Sequence, residues 1–136
     1  MPKFRAWDKQ LKIMRNVKYI DFENQELKIY ADEYYEDGYI PNLDIVRNFD
    51  EFEIMQSTGL KDKSGKEIFE GDIVKNINTE SKGRVIWDIH NTGWHYSVKK
   101  KANSLFDTYT LFRSKHNLEV IGNVHDNPEL LEVENE

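Results

Sequence analysis

The clearest structural signal in the chain lies in residues 84–98, which read RVIWDIHNTGWHYSV. Apolar and polar residues alternate on both sides of a central Asn-Thr-Gly, as expected for two antiparallel strands that bury one face. A four-residue loop sets Ile89 opposite Tyr96 and continues the apolar stripe through Trp87. These residues therefore predict a β-hairpin with one buried face and one outer face.

The same register predicts the outer face of this hairpin. It places Trp94 at the turn, where the indole ring is expected to be exposed. His90 then lies directly opposite His95, with Asp88 on the same face. Two imidazoles and a carboxylate can hold a divalent transition metal, with His125 as a distant fourth ligand. The alternative is an exposed cross-strand pair of histidines, and we predict no metal site.

The segment upstream of this hairpin predicts further strands. A polar turn over residues 61–66 carries Gly65 where a positive φ is needed. A Gly-Asp corner at residues 71–72 then leads into the β-branched start of a strand. Residues 55–98 therefore predict a strand, a tight turn, a strand and a hairpin, and this spacing of turns is typical of a small β-barrel.

A second hairpin is predicted near the N-terminus, with its turn at residues 24–25. This turn sets Phe22 opposite Leu27. It also sets Ile20 opposite Ile29, which completes one apolar face. We therefore expect a half-buried antiparallel pair at this end of the chain.

The remaining segments have weaker patterns. Residues 31–50 have neither a helical nor a strand period, and we interpret them as a loop or linker with one short element near residues 43–49. Apolar residues at helical spacing favour one helix over residues 104–113. Residues 118–124 predict a strand with a bulge or a close backbone approach at Gly122. The Asn-Pro-Glu that opens residues 127–131 is typical of a helix start.

The composition limits the class of protein. The chain has 136 residues, a formal net charge of −6 and no cysteine, which excludes disulfide scaffolds, thiolate catalysis and Cys-type metal sites. No transmembrane run and no apolar signal region is found, so we predict a cytoplasmic protein. Residues 21–53 carry eleven acidic and two basic side chains. We interpret this stretch as a solvated face, with an acidic decoy surface for a basic partner as the alternative.

Three motifs in order resemble the YopX family. They are KFRAWD at residues 3–8, MQSTGLKDKSGKEIFEGDIV at residues 55–74, and LEVIGNV at residues 118–124 followed by NPELL at residues 127–131. The resemblance implies a small protein encoded by phages and prophages of bacteria. It also implies a β-rich fold that contains an SH3-like barrel. The resemblance assigns no activity and supplies no catalytic residues.

These observations together predict a mainly β protein with short helices at most. We expect an N-terminal β-hairpin subdomain with an acidic loop over residues 1–53. Residues 54–136 are expected to form an SH3-like small β-barrel with a C-terminal strand and turn. No Ser in the sequence stands in a nucleophile elbow, and the glycines lack the context of a phosphate-binding loop. We therefore predict neither an enzyme nor a bound cofactor.

Nucleic-acid binding is one function that the sequence leaves open. Basic side chains lie at both ends of the hairpin predicted over residues 84–98, which we call the central hairpin. They are Lys82, Arg84, Lys99, Lys100 and Lys101. Small barrels bind single strands by stacking bases on aromatic rings while cations follow the phosphates. The acidic balance of the whole chain argues against bulk, non-specific DNA binding.

Protein binding is the function we expect. The candidate contacts are aromatic and imidazole side chains in two places, namely Trp94, His90 and His95 in the barrel, and Tyr34, Tyr35 and Tyr39 in the acidic stretch. We therefore predict a phage or prophage accessory protein that acts as a non-enzymatic protein-interaction module on a host or phage protein, away from membranes. Long sheet edges also make a homo-oligomer an expectation. The alternatives are a single-stranded nucleic-acid-binding barrel and, second, a metal-dependent enzyme.

Overall fold

The computed structural model describes residues 3–35, 38–100 and 105–132 of the chain. These residues form antiparallel sheets, and the only helices among them are short. The prediction of a mainly β protein with short helices is therefore confirmed. The chain divides into two compact units, residues 1–56 and residues 57–136, which we call unit one and unit two.

Unit one is an antiparallel sheet with strand order β4-β3-β2-β1-β5. The strands are β1 (Phe4–Asp8), β2 (Ile13–Asp21), β3 (Glu26–Tyr35), β4 (Gly38–Asn48) and the first residues of β5 (Phe52–Lys61), and a 3₁₀ turn (Phe49–Glu51) joins β4 to β5. One face of the sheet carries the core, which contains Ala6, Leu27, Ile29 and Phe52. Burial of these apolar side chains is the main force that stabilises the unit.

Unit two contains the remaining residues of β5, which pair with β6 (Glu67–Phe69), and a five-stranded antiparallel sheet. The strands of that sheet are β7 (Asp72–Asn76), β8 (Lys82–Asp88), β9 (Gly93–Lys99), β10 (Phe106–Thr110) and β11 (Leu118–Asn123). Its short helices are α1 (Leu111–Ser114) and 3₁₀ turns at Lys115–Asn117 and Pro128–Leu131. Its core includes the fully buried Ile68, Val74, Val85, Leu111 and Leu118.

Within the described residues, the two outermost strands of the unit two sheet do not pair with each other. The order is β10-β9-β8-β7-β11, so β10 and β11 each pair with one neighbour within the described residues. These residues therefore form an open sheet and not a closed barrel. In the same part of the chain, no helix is long and apolar enough to cross a membrane.

The central hairpin forms with a register that differs from the predicted one. Val85 pairs with Tyr96, and Trp87 pairs with Trp94. The predicted pairing of Ile89 with Tyr96 is wrong, because the four-residue loop covers residues 89–92 and lies two residues earlier than predicted. Val85 and Tyr96 nevertheless share the predicted apolar face, because the partner of Tyr96 changes by four residues and an even shift leaves each strand residue on its own face. Ile89, which was predicted on that face, lies exposed in the loop.

The N-terminal hairpin shows the same kind of shift. Ile20 pairs with Leu27 and not with Ile29, so the predicted register is wrong. The loop contains four residues, and Phe22 lies in it with 74% of its side chain exposed. Leu27 and Ile29 are fully buried, as the predicted apolar face requires.

One turn design accounts for both shifts. In four hairpins, an Asp or Asn at the end of the first strand accepts hydrogen bonds from backbone amides two or three residues later, and the fourth loop residue has a positive φ. The first residues of these turns are Asp8, Asp21, Asn76 and Asp88, and the residues with positive φ are Lys12, Gln25, Glu80 and Thr92. Such side chains favour turns because they satisfy loop amides locally.

The segment interpreted as a loop is a long hairpin, so that interpretation is wrong. Within residues 31–48, the backbones of β3 and β4 pair from Ala31 and Leu43 to the end of the hairpin at Tyr35 and Gly38. Pro41 lies next to an irregularity in this ladder, on a strand at the edge of the sheet. An edge strand tolerates a residue without an N–H, which is why Pro41 does not prevent the strand.

The predicted helix over residues 104–113 is also wrong for most of its length. Residues 106–110 form β10, and α1 begins only at Leu111. Tyr109 stacks on Tyr96 of β9 with a ring-centroid distance of 5.3 Å. Cross-strand packing of aromatic and β-branched residues therefore prevails over the helical spacing.

Two predicted features of unit two are confirmed. Gly65 has a φ of 88° in the turn between β5 and β6. The ladder of β11 with β7 shifts between Val120 and Gly122, at the predicted bulge. A Cβ on Gly122 would lie 2.8 Å from Asn127 Cγ, which explains the need for glycine at this close approach.

Candidate binding groove of unit two

Four cationic side chains surround one groove on the outer face of the unit two sheet. They are Lys75 of β7, Lys82 and Arg84 of β8, and Lys99 of β9, and the groove that they line has a volume of about 940 Å³. We call it the basic groove. Three of the four were predicted as nucleic-acid contacts, and the structure brings these three together.

The strand register places these cations side by side. Lys75 pairs directly with Lys82, and Arg84 pairs with Ser97. When the β8–β9 ladder is extended two residues beyond the pair of Arg84 and Ser97, Lys82 lies opposite Lys99. Three lysines from three neighbouring strands therefore form one cross-strand row, on the face opposite the buried Val85.

The floor and ends of the basic groove differ in character. Ile86, Leu130 and Leu131 are half-buried and line the groove, together with Phe106, which is 61% exposed. Two acidic residues also line it, Glu80 in the β7–β8 turn and Glu132 after the last 3₁₀ turn. The groove therefore combines an apolar floor with an excess of positive charge.

The four cations lack acidic partners within the described residues. The ion pairs there involve other basic residues, such as Lys100, whose Nζ lies 3.1 Å from Asp107 Oδ1. In unit one, Arg15 and Arg47 both contact Asp8. Among the described residues the groove cations are therefore not neutralised by an ion pair, whereas Arg15, Arg47 and Lys100 each contact a carboxylate.

Comparison with known proteins assigns the family. The family model described as YopX protein matches residues 3–132, nearly the whole chain. The chain belongs to the YopX family. The crystal structure of protein EF1440 from Enterococcus faecalis is similar, with 31% sequence identity and a TM-score of 0.56 over 97% of this chain and 99% of that one. No curated protein matches the chain.

The predicted histidine pair of this YopX family chain does not form. His90 lies exposed in the β8–β9 loop, whereas His95 is buried and pairs with Ile86. Nδ1 of His95 lies 3.0 Å from the carbonyl oxygen of Gly93. The shifted register thus separates the two rings, and the described residues contain no group of three or more His, Asp or Glu side chains suited to a metal ion.

Asp88 serves the turn and not a ligand cluster. Its carboxylate accepts hydrogen bonds from Asn91 Nδ2 at 2.9 Å and from the backbone amide of His90 at 2.9 Å. These bonds hold the pKa of Asp88 below its ordinary value, with the Asn91 side chain as the largest cause. The carboxylate therefore stays ionised at neutral pH, and its oxygens are engaged in hydrogen bonds within the turn.

Trp94 does not lie at the tip of the turn. It is half-buried against the core of unit two and packs edge-on against Trp87, with 5.3 Å between the ring centroids. Trp94 and His95 line a second, smaller pocket of about 500 Å³ with Thr110 and Phe112, which we call the aromatic pocket. Trp87, with 48% of its surface exposed, is the more accessible indole.

The remaining predicted contacts are spread over both units. Tyr34 pairs with Tyr39 and Tyr35 pairs with Gly38 across β3 and β4, where the structure describes only the backbone. Lys101 lies outside the described residues.

Several groove residues were missed by the sequence analysis. Lys75 lies in β7 directly after Ile73 and Val74, and it faces the groove because it shares a face with Lys82, which only the register reveals. Leu130 and Leu131 come from the last 3₁₀ turn, far from β8 in sequence. The signal that could have found Lys75 is the Asx turn at Asn76, since it fixes which residues of β7 and β8 face each other.

Proposed function

We propose that this YopX family protein is a non-enzymatic protein-interaction module that acts by occupancy, and that the basic groove is its binding surface. The observation that supports this most is the row of uncompensated cations beside an apolar floor. Surfaces that combine apolar area with charged and polar groups at the rim are typical of protein interfaces. No covalent step is required for such a function.

The setting of this function is part of the proposal. The sequence motifs resemble the YopX family, and this resemblance implies a protein encoded by phages or prophages. We therefore infer an accessory role in the bacterial cytoplasm, with a host or phage protein as the partner. Self-association through the exposed sheet edges is a further part of this proposal, and light scattering on the purified protein tests it.

We also propose that unit two is a variant of the SH3-like barrel. Four consecutive strands form a meander, a short helical segment follows, and β11 returns to pair with β7, the first strand of the meander. This order of elements supports the proposal because a return of the last strand to the first curls the sheet toward closure. Long-range contacts between β10 and β11 in solution would establish it.

Single-stranded nucleic-acid binding is the second candidate function. The specific observation in its favour is that Lys82, Arg84 and Lys99 converge on one surface beside the exposed ring of Phe106. Cations that follow phosphates next to a stacking ring are the usual components of such sites. Both candidate functions use the basic groove, so one experiment separates them.

Recovery of partners from bacterial cells is expected to depend on the basic groove. Tagged full-length protein should retain a stoichiometric protein partner after nuclease treatment. The double variant Lys82→Glu, Arg84→Glu should lose it, because charge reversal places like charges against the partner. Quantitative mass spectrometry of the recovered proteins makes the measurement.

The matched control is the double variant Lys63→Glu, Lys66→Glu, which makes the same change in net charge on exposed lysines outside the groove. It should retain the partner. Loss of all partners on nuclease treatment would contradict protein binding and favour the nucleic-acid function. Equal recovery with both double variants would contradict the groove as the binding surface.

A further inference from the structure

The basic groove has features that specify the chemistry of its occupant, and this inference rests on the proposed function. We propose that it binds an extended peptide segment of a partner protein in which Asp or Glu side chains flank bulky apolar side chains. The carboxylates lie against the cationic row, and the apolar side chains lie on the floor. Charge complementarity carries this proposal.

The cationic row is unfavourable without an anion. Lys75 lies directly opposite Lys82 in an antiparallel pair, and Lys99 is level with both. Like charges directly opposite each other destabilise a sheet. Among the described residues no acidic side chain forms an ion pair with any of the three. A bound carboxylate would offset this repulsion, and Arg84 in the next row can bind one in a bidentate manner.

The apolar floor requires more than an anion. Ile86 comes from β8, whereas Leu130 and Leu131 come from the 3₁₀ turn that contacts β8. An inorganic anion leaves these side chains in water. Aliphatic or aromatic side chains of a peptide would cover them, and each buried side chain contributes about 1.5–3 kcal/mol. An amphipathic peptide therefore fits both components of the groove.

The same groove is a poorer fit for a single-stranded nucleic acid. Such sites stack successive bases on several rings, whereas Phe106 is the one ring among the described lining residues. Glu80 and Glu132 also line the groove and would repel a continuous polyphosphate. Discrete carboxylates on a peptide avoid this repulsion, so the observations favour the peptide.

Fluorescence anisotropy with defined probes tests the inference on the full-length protein. The first probe is a fluorescein-labelled peptide of alternating Glu and Leu, about ten residues long to span a typical strand. It should bind saturably, and the matching Lys-Leu peptide should not bind. A Glu-Ser peptide of the same length should bind roughly tenfold or more weakly, because it lacks the apolar anchors.

Variants assign the binding to the groove. The double variant Lys82→Glu, Arg84→Glu should weaken binding of the Glu-Leu peptide by about a hundredfold, roughly tenfold for each charge-assisted hydrogen bond that it removes. The neutral pair Lys82→Gln, Arg84→Gln should also weaken it, and circular dichroism checks that both variants fold. Lys63→Glu, Lys66→Glu should leave the affinity within about twofold, since exposed charges outside a site contribute little.

The outcomes separate this inference from the proposed function. If the Glu-Leu peptide does not bind, or binds all variants equally, the inference is overturned. The proposed function then stands only if a nuclease-resistant partner is still lost with the groove variant. If an oligo-dT probe binds more tightly than the peptide and is lost in the groove variant, both proposals are overturned in favour of nucleic-acid binding.

Discussion

Replacement of Asp8 with asparagine is expected to lower the free energy of unfolding by about 3–5 kcal/mol, the usual cost of removing one partner from a buried ion pair. The Asp8 side chain is fully buried, and Arg47 Nη1 and Nη2 lie 3.0 and 3.3 Å from its two oxygens. Arg15 Nε lies 3.5 Å away. Asparagine keeps the shape but removes the charge that Arg15 contacts, and it leaves the largely buried Arg47 paired with Glu51 alone.

Urea unfolding followed by tryptophan fluorescence measures this effect. Asp21→Asn is the matched control, because Asp21 begins the same kind of turn but is bonded to Asn24 and to no arginine. It should cost much less than Asp8→Asn. Similar losses for the two variants would show that the turn, and not the arginine network, gives Asp8 its importance.

The stabilisation by Asp8 should also depend on pH. Burial alone raises the pKa of Asp8, but hydrogen bonds from the Leu11 amide and Arg47 outweigh it and hold the pKa below the ordinary value of 3.8. A carboxyl with a lowered folded-state pKa stabilises the protein above its unfolded-state pKa and loses this effect as the pH falls. The difference between wild type and Asp8→Asn should therefore be full at neutral pH and shrink below about pH 4.

Replacement of Gly83 with alanine is expected to destabilise the protein by about 1–3 kcal/mol, the usual cost of overpacking. A Cβ at this position would lie 2.8 Å from the backbone oxygen of Ser97, and backbone cannot swing away as a side chain can. Strand propensity alone predicts the opposite sign, since glycine weakens a strand interior. The close approach of β8 and β9 at Gly83 therefore determines the result.

Thermal unfolding with Gly93→Ala as the control measures this effect. Gly93 lies in the same sheet, and a Cβ there would meet its nearest neighbour, His95 Cε1, at an ordinary 3.7 Å. The Gly93→Ala variant should change stability by less than about 0.5 kcal/mol. Equal stability of the two variants would contradict the packing described for β8 against β9.

The sequence predicted which side chains face the core better than it predicted the pairing of strands. Within the paired strands both hairpins keep their predicted apolar faces, because period-two alternation survives a shift by an even number of residues. Phe22 and Ile89, which were predicted on those faces, lie exposed in the loops. The predicted registers were wrong because the position of each turn is set by an aspartate, Asp21 or Asp88, whose side chain accepts hydrogen bonds from loop amides. A search for Asp or Asn five residues before the second strand would have corrected both.

Tertiary context explains the other misassignments. The hairpin of β3 and β4 has no clear alternation, and its Pro41 is tolerated only because β4 is an edge strand. The spacing of Tyr109 and Phe112 suggested a helix, yet Tyr109 packs on Tyr96 of the neighbouring strand. In each case pairing with a distant segment decides the structure, and a local pattern carries no information about that segment.

The candidate site was predictable in part for the same reasons. Lys82, Arg84 and Lys99 were recognised as basic residues beside the central hairpin. Their alignment with Lys75 depends on the β7–β8 register, and the apolar floor depends on where the last 3₁₀ turn docks. Trp94 was expected to be exposed at a loop tip, but the true register moves it into the sheet beside Trp87.

The central claim is that the outer face of β8 and β9 is a binding surface for an acidic, amphipathic peptide. The most direct test is a titration of the full-length, ¹⁵N-labelled protein with the Glu-Leu peptide, followed by amide chemical shifts. We expect shifts concentrated in residues 82–86, 97–99 and 128–132. Shifts concentrated instead around Trp94 and Phe112 in the aromatic pocket, or no shifts at saturating peptide, would contradict the account.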